Sequence, residues 1–98
     1  MDKSEGTIQK EIIDLLKLRG SLVFRMNAGS AKYNVKLAPR GTPDLLAVLP
    51  GTAIWLEVKT PKGKVSEDQF NMINDLRDRG ELVYVVRSVE DVIRILGE

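Results

Sequence analysis

The chain has 98 residues, with fifteen lysines and arginines against fourteen acids for a net charge of +1, and it contains neither cysteine nor histidine. That length fits one domain over residues 1–98, and 43% hydrophobic with 30% charged residues is the composition of a folded globular protein. Without thiols or imidazoles there is no disulfide scaffold, thiolate zinc site, Ser-His-Asp hydrolase or histidine-based nuclease. Catalysis would rest on carboxylates, lysine, hydroxyls, amides or a hard metal ion held by oxygen.

Residues 7–19 carry Ile8, Ile12, Leu15 and Leu16 at helical spacing before Gly20. Ser21 to Asn27 reads as a strand, and Ala28 to Pro43 as a long loop of small and basic residues. Asp44–Leu49 and Ala53–Lys59 are two further strands joined by the turn signal Pro50-Gly51-Thr52. A helix over 66–79 is opened by Ser66 and Gln69 as a capping box and closed by Gly80. Leu82–Arg87 forms the fourth strand, and Ser88, with Asp91 three residues on, caps a last helix. The order α-β-β-β-α-β-α predicts an α/β fold, a four-stranded mixed sheet flanked by helices.

Between Leu15 and Pro43 stand six bases (Lys17, Arg19, Arg25, Lys32, Lys36 and Arg40) and no acid; the rest of the chain holds nine bases and fourteen acids. An acid-free basic stretch leading into an acidic cluster suits a polyanion whose backbone meets carboxylates through a cation, although a solvated basic loop has the same composition. The opening residues have no apolar signal segment and the longest apolar run, Leu45–Leu49, is too short for a bilayer, so the expectation is an intracellular, cytoplasmic protein.

The chemistry concentrates in Asp44, Glu57, Lys59 and Gln69. Strand alternation places Glu57, Lys59 and Trp55 on one face, while the Val58 carbonyl lies at the strand edge. A two-residue turn at Pro50-Gly51 sets Leu49 against Thr52 and therefore Asp44 against Glu57; a one-residue slip would send Asp44 to the other face. Adjacent carboxylates repel unless a cation lies between them, and oxygen donors suit Mg²⁺ or Mn²⁺. Each residue also has an ordinary reading: Pro43-Asp44 as a turn, Glu57 and Lys59 as a solvated edge, Gln69 as the capping partner of Ser66. Together, charges interrupting an otherwise apolar strand favour function.

Gly41-Thr42-Pro43-Asp44 and Leu56-Glu57-Val58-Lys59 resemble the G-x-P-D and E-x-K motifs of the PD-(D/E)xK nucleases. Within that superfamily the chain is most similar to a stand-alone VRR-NUC (virus-type replication–repair nuclease) domain. The shared details are Arg25-Met26-Asn27-x-Gly29, the Gly63 loop, Ser66-x-x-Gln69 and the closing Val85–Asp91 segment. The resemblance implies a restriction-endonuclease-like core and a DNA endonuclease dependent on Mg²⁺ or Mn²⁺. Asp44, Glu57 and the main-chain carbonyl of Val58 become metal ligands, Lys59 the catalytic lysine and Gln69 its supporting amide. Glu5 and Gln9 are candidates for the first-helix residue that many relatives add. Arg25, Asn27, Lys32, Lys36, Arg40, Lys62 and Lys64 are the expected DNA contacts. Compact relatives imply branched DNA such as Holliday junctions, cut by a homodimer; the alternative is a catalytically inactive DNA-binding module of the same fold.

Overall fold

The computed structural model describes residues 2–27 and 38–97. Its elements are α1 (Glu5–Leu18), β1 (Leu22–Arg25), β2 (Leu45–Leu49), β3 (Thr52–Val58), α2 (Glu67–Asp78), β4 (Leu82–Val86) and α3 (Val89–Ile95), the order expected from the sequence. The sheet runs β1-β2-β3-β4. Its first two pairings are antiparallel and β3–β4 is parallel, because the return to β4 passes through α2.

Helix ends follow local chemistry. The Ser4 hydroxyl accepts from the Thr7 N–H, so α1 begins at Glu5, two residues before the expected start at residue 7. α1 and α2 both close with paired bonds back into the last turn: Gly20 to Lys17 and Ser21 to Leu16 in the first, Gly80 to Arg77 and Glu81 to Leu76 in the second. Ser88 caps α3 as expected by accepting from the Asp91 N–H. The Asp91 carboxylate instead takes the Arg87 N–H, outside the helix, at 2.8 Å.

Strand alternation divides the sheet into two faces. Leu45, Ala47, Ile54, Leu56, Val58 and Val86 turn toward α1 and α3, where Ile8, Ile12, Leu16 and Val92 complete the main core. Full burial of each large aliphatic side chain there contributes roughly 2 kcal/mol. The opposite face carries Trp55 and Glu57, paired with Val83 and Val85 of β4 and covered in part by α2.

The hairpin has the register anticipated from its turn: Leu49 opposes Thr52 and Leu45 opposes Leu56. One step further along this register, Asp44 lies opposite Glu57. The next position, opposite Val58, is Pro43, which has no N–H to continue the ladder. β2 therefore opens after Asp44, and the regular part of β3 closes before Lys59, each one residue inside the expected span.

The loop before Asp44 is docked on α2 at Gly41. Its φ is +85°, and a Cβ there would stand 2.3 Å from the Asp68 carbonyl oxygen. Gly41→Ala is expected to destabilise the protein by about 2 kcal/mol or more, combining left-handed strain with a backbone clash, measured as a lower urea midpoint with unchanged slope.

Candidate active site

Where β2 and β3 part, each carboxylate is held by a separate set of donors. Asp44 Oδ2 accepts the Val58 N–H at 2.8 Å, the donor that a regular ladder would direct at the carbonyl of the opposing Pro43. Asp44 Oδ1 accepts from Asn27 Nδ2 at 3.2 Å, and the same amide donates to the Thr42 carbonyl at 3.0 Å. A strand residue turns its N–H and C=O to the same edge, so the Val58 carbonyl also faces the Asp44 side, with no donor from Pro43.

Glu57 is only 1% exposed. Its Oε2 accepts from Gln69 Nε2 at 3.2 Å and lies 3.7 Å from Lys59 Nζ. Its Oε1 is buried and finds no hydrogen-bond partner among the described residues. Removal from water pushes the Glu57 carboxyl up to about 8; the neighbouring Asp44 carboxylate adds to the rise, and Lys59 opposes it. Lys59 is buried as well, so the reading of Glu57 and Lys59 as a solvated edge does not hold.

Gln69 uses both ends of its amide. Its Oε1 accepts the Ser66 N–H at 2.9 Å, completing the capping box, and its Nε2 reaches Glu57. The capping bond and the bond to Glu57 therefore coexist in one side chain. The cap fixes the amide so that its NH₂ group points at the carboxylate.

An unpartnered buried carboxylate oxygen next to a second carboxylate calls for a cation. Two carboxylates and the Val58 backbone carbonyl form a hard, oxygen-only donor set, which fits Mg²⁺ or Mn²⁺ and does not fit softer ions. Among the described residues no three acidic side chains converge, so the protein would supply two carboxylates.

The VRR-NUC domain family matches residues 25–90. The chain belongs to the VRR-NUC family. A solved "VRR_NUC domain" structure is 28% identical, covers 98% of both chains and superposes with a TM-score of 0.76. A second, a "VRR_NUC domain protein", is 16% identical over 99% of this chain and 88% of that one, with a TM-score of 0.74. Hjc of Archaeoglobus fulgidus, a Holliday junction resolvase from an archaeal hyperthermophile, shares the fold at a TM-score of 0.59 and 23% identity, over 85% of this chain and 67% of that one. No curated protein sequence matches. Family and fold are those of a PD-(D/E)xK nuclease.

This VRR-NUC domain places its remaining candidate residues unevenly. Glu5 is exposed in the first turn of α1, near enough for its charge to add a small upward push on Glu57, but it makes no contact with the carboxylates. Gln9 lines a shallow cavity with Lys10, Lys17 and Arg25, away from the carboxylates. Arg25 pairs with Leu45 and so projects from the α1 face, opposite to Asp44 and Glu57. Lys62 and Lys64 are exposed on the loop after Lys59, while Lys32 and Lys36 lie outside the described residues. Arg40 forms a 3.2 Å ion pair with Asp68 on the wall of a cavity of about 1050 Å³ that also includes Asn27, Thr42 and Gln69. Asn27, expected as a DNA contact, donates to Asp44. Its position near Asp44 depends on the Met26 N–H bonding the Asp44 carbonyl at 2.8 Å, a tertiary fact with no local signal.

Proposed function

We propose that this VRR-NUC domain is a Mg²⁺- or Mn²⁺-dependent DNA endonuclease, selective for branched DNA such as Holliday junctions, that acts as a homodimer in the cytoplasm. The observation that carries the reading is the Glu57 Oε1 atom, buried without a partner beside Asp44. A dication held by Asp44, Glu57 and the Val58 carbonyl would supply a Lewis acid against charge growing on the phosphate. The protein does the positioning. Val58 N–H and Asn27 fix the two oxygens of Asp44, and Gln69 fixes Glu57. Lys59, held beside Glu57, is placed to orient the attacking water and offset negative charge on phosphorus oxygens.

The branched substrate is supported by the likeness to Hjc, a Holliday junction resolvase. The homodimer is supported by the small core available to 98 residues, by the match between a two-fold dimer and a four-way junction, and by Leu22 and Phe24. These two side chains of edge strand β1 share a face and are 64% and 50% exposed. The deciding experiment incubates purified protein with junction, flap, single-stranded and duplex DNA in Mg²⁺, Mn²⁺ or EDTA. Metal-dependent cutting, fastest on the junction, is expected. Equal binding with no cutting in any metal would reduce the protein to a DNA-binding module.

Phosphate gripping by exposed bases should be indifferent to sequence and sensitive to salt. Arg40→Glu is expected to weaken DNA binding about 10-fold at low salt, alike across sequences, and to lower the salt slope by about one. Fluorescence anisotropy between 50 and 200 mM salt (about the range where such contacts dominate) provides the check. Unchanged affinity at low salt would remove the Gly41 loop from the DNA path.

A further inference from the structure

Lys59 stands one residue beyond the last paired residue of β3, held by the final bond of the β3–β4 ladder. The lysine and the turn that follows it are both tied to the end of β4. The Lys59 N–H donates to the Val86 carbonyl at 2.9 Å. The next residue on β4's side, Arg87, uses a single guanidinium nitrogen, Nη1, to donate to the carbonyls of Thr60 at 2.7 Å, Gly63 at 2.7 Å and, more weakly, Pro61 at 3.3 Å. The Thr60–Gly63 turn is closed by the Gly63 N–H to the Thr60 carbonyl at 3.0 Å, so its carbonyls gather around that nitrogen.

We propose that Arg87 is a positioning residue for Lys59. It clamps the turn that follows the lysine, so that Lys59 stays within reach of Glu57 and of the reacting phosphate. The inference rests on the nuclease reading above. Charge-assisted bonds from a guanidinium to several backbone carbonyls are strong, and a tightened turn leaves the lysine backbone little freedom. A buried lysine of a catalytic site must be held within a fraction of an ångström, whereas exposed phosphate-gripping lysines such as Lys62 and Lys64 adapt through flexible side chains. Loss of the clamp should therefore affect the chemical step far more than DNA affinity.

The test compares wild type, Arg87→Met and Arg87→Lys by cleavage kinetics, by junction affinity in EDTA and by amide hydrogen exchange. In Arg87→Met, kcat is expected to fall about 30-fold or more, with KM and junction affinity within about 3-fold of wild type. Exchange of the 59–65 amides should quicken about 10-fold while those of β2 stay protected. Arg87→Lys, which returns a cation with three donors, should recover most of the lost kcat. Should Arg87→Met not fold, Arg87→Gln carries the same measurements. Unaltered exchange at 59–65 overturns the clamp, and a loosened turn with wild-type kcat overturns its role in positioning Lys59. A wild-type protein that cuts nothing removes the nuclease reading and the catalytic half of the proposal, while the exchange result still decides the clamp.

Discussion

Asp44→Ala is expected to lower the cleavage rate by about three orders of magnitude or more while the protein still folds. The substitution removes one of the two carboxylates that face the site among the described residues, together with the acceptor of the Val58 N–H and of the Asn27 amide. The rate loss should be accompanied by loss of metal binding, because the oxygen partner of Glu57 is gone. The fold should survive because Asp44 precedes β2 and takes no part in the apolar core of the other face. Water can reach the vacated donors at this half-buried position, so the stability cost should stay near about 1–2 kcal/mol. Asp44→Asn separates the two effects. It retains an acceptor for Val58 and removes the charge, so its melting temperature should stay close to wild type while its cleavage rate falls nearly as far as that of the alanine variant. The checks are junction cleavage in Mg²⁺ and Mn²⁺, thermal melting, and titration of Mn²⁺. Metal-dependent cutting at the wild-type rate by purified Asp44→Ala would falsify the assignment of this site.

The legibility of this fold was uneven for physical reasons. Period-two alternation and a two-residue turn determine a hairpin register almost by themselves, so the opposition of Leu49 to Thr52, and hence of Asp44 to Glu57, could be read from residues 44–59. Capping chemistry is equally local, which made Ser66 and Gln69 recognisable as a box. Contacts across 15 to 27 residues carry no such signal. Asn27 meets Asp44 because β1 pairs with β2, and Arg87 meets Thr60 because β4 pairs with β3. Neither pairing states in advance which polar tip will find which partner. Face assignment separates Arg25 from the site for a related reason: a strand of four residues pairs through its register with β2, and that register places Arg25 beside the buried Leu45. Burial was the other quantity missing from the sequence. Trp-Leu-Glu-Val-Lys has the charge pattern of a solvated edge, and only the cover supplied by α2 and Gln69 makes Glu57 one of the least exposed residues described.

Glu57→Gln is expected to make the metal-free protein more stable at alkaline pH. The carboxyl moves from an ordinary value of 4.5 to about 8 in the fold, chiefly through burial. Between those limits the folded state keeps a proton that the unfolded state has released. The Glu57 contribution to stability is therefore greatest below about 4.5 and is lost as pH rises through about 8, the direction required by linkage when the native form binds more protons. The displacement sets an upper bound of about 5 kcal/mol; water entry and the nearby Lys59 reduce the expected loss to about 2 kcal/mol, or some 10 °C for a domain of this size. Glutamine has nothing to ionise, and its carbonyl can still accept from Gln69, so thermal melts in EDTA should show a much shallower decline for the variant between pH 5 and 8.5 (about the span of the titration). A divalent ion reverses the ranking. It substitutes for the proton at Glu57, so added Mn²⁺ should raise the wild-type melting temperature more at pH 8 than at pH 5.5 and leave Glu57→Gln nearly unmoved (about the two ends of the window). Parallel pH profiles for the two proteins in EDTA would show that Glu57 is ionised in the native state with no bound metal. In that case its buried oxygen would no longer argue for a cation.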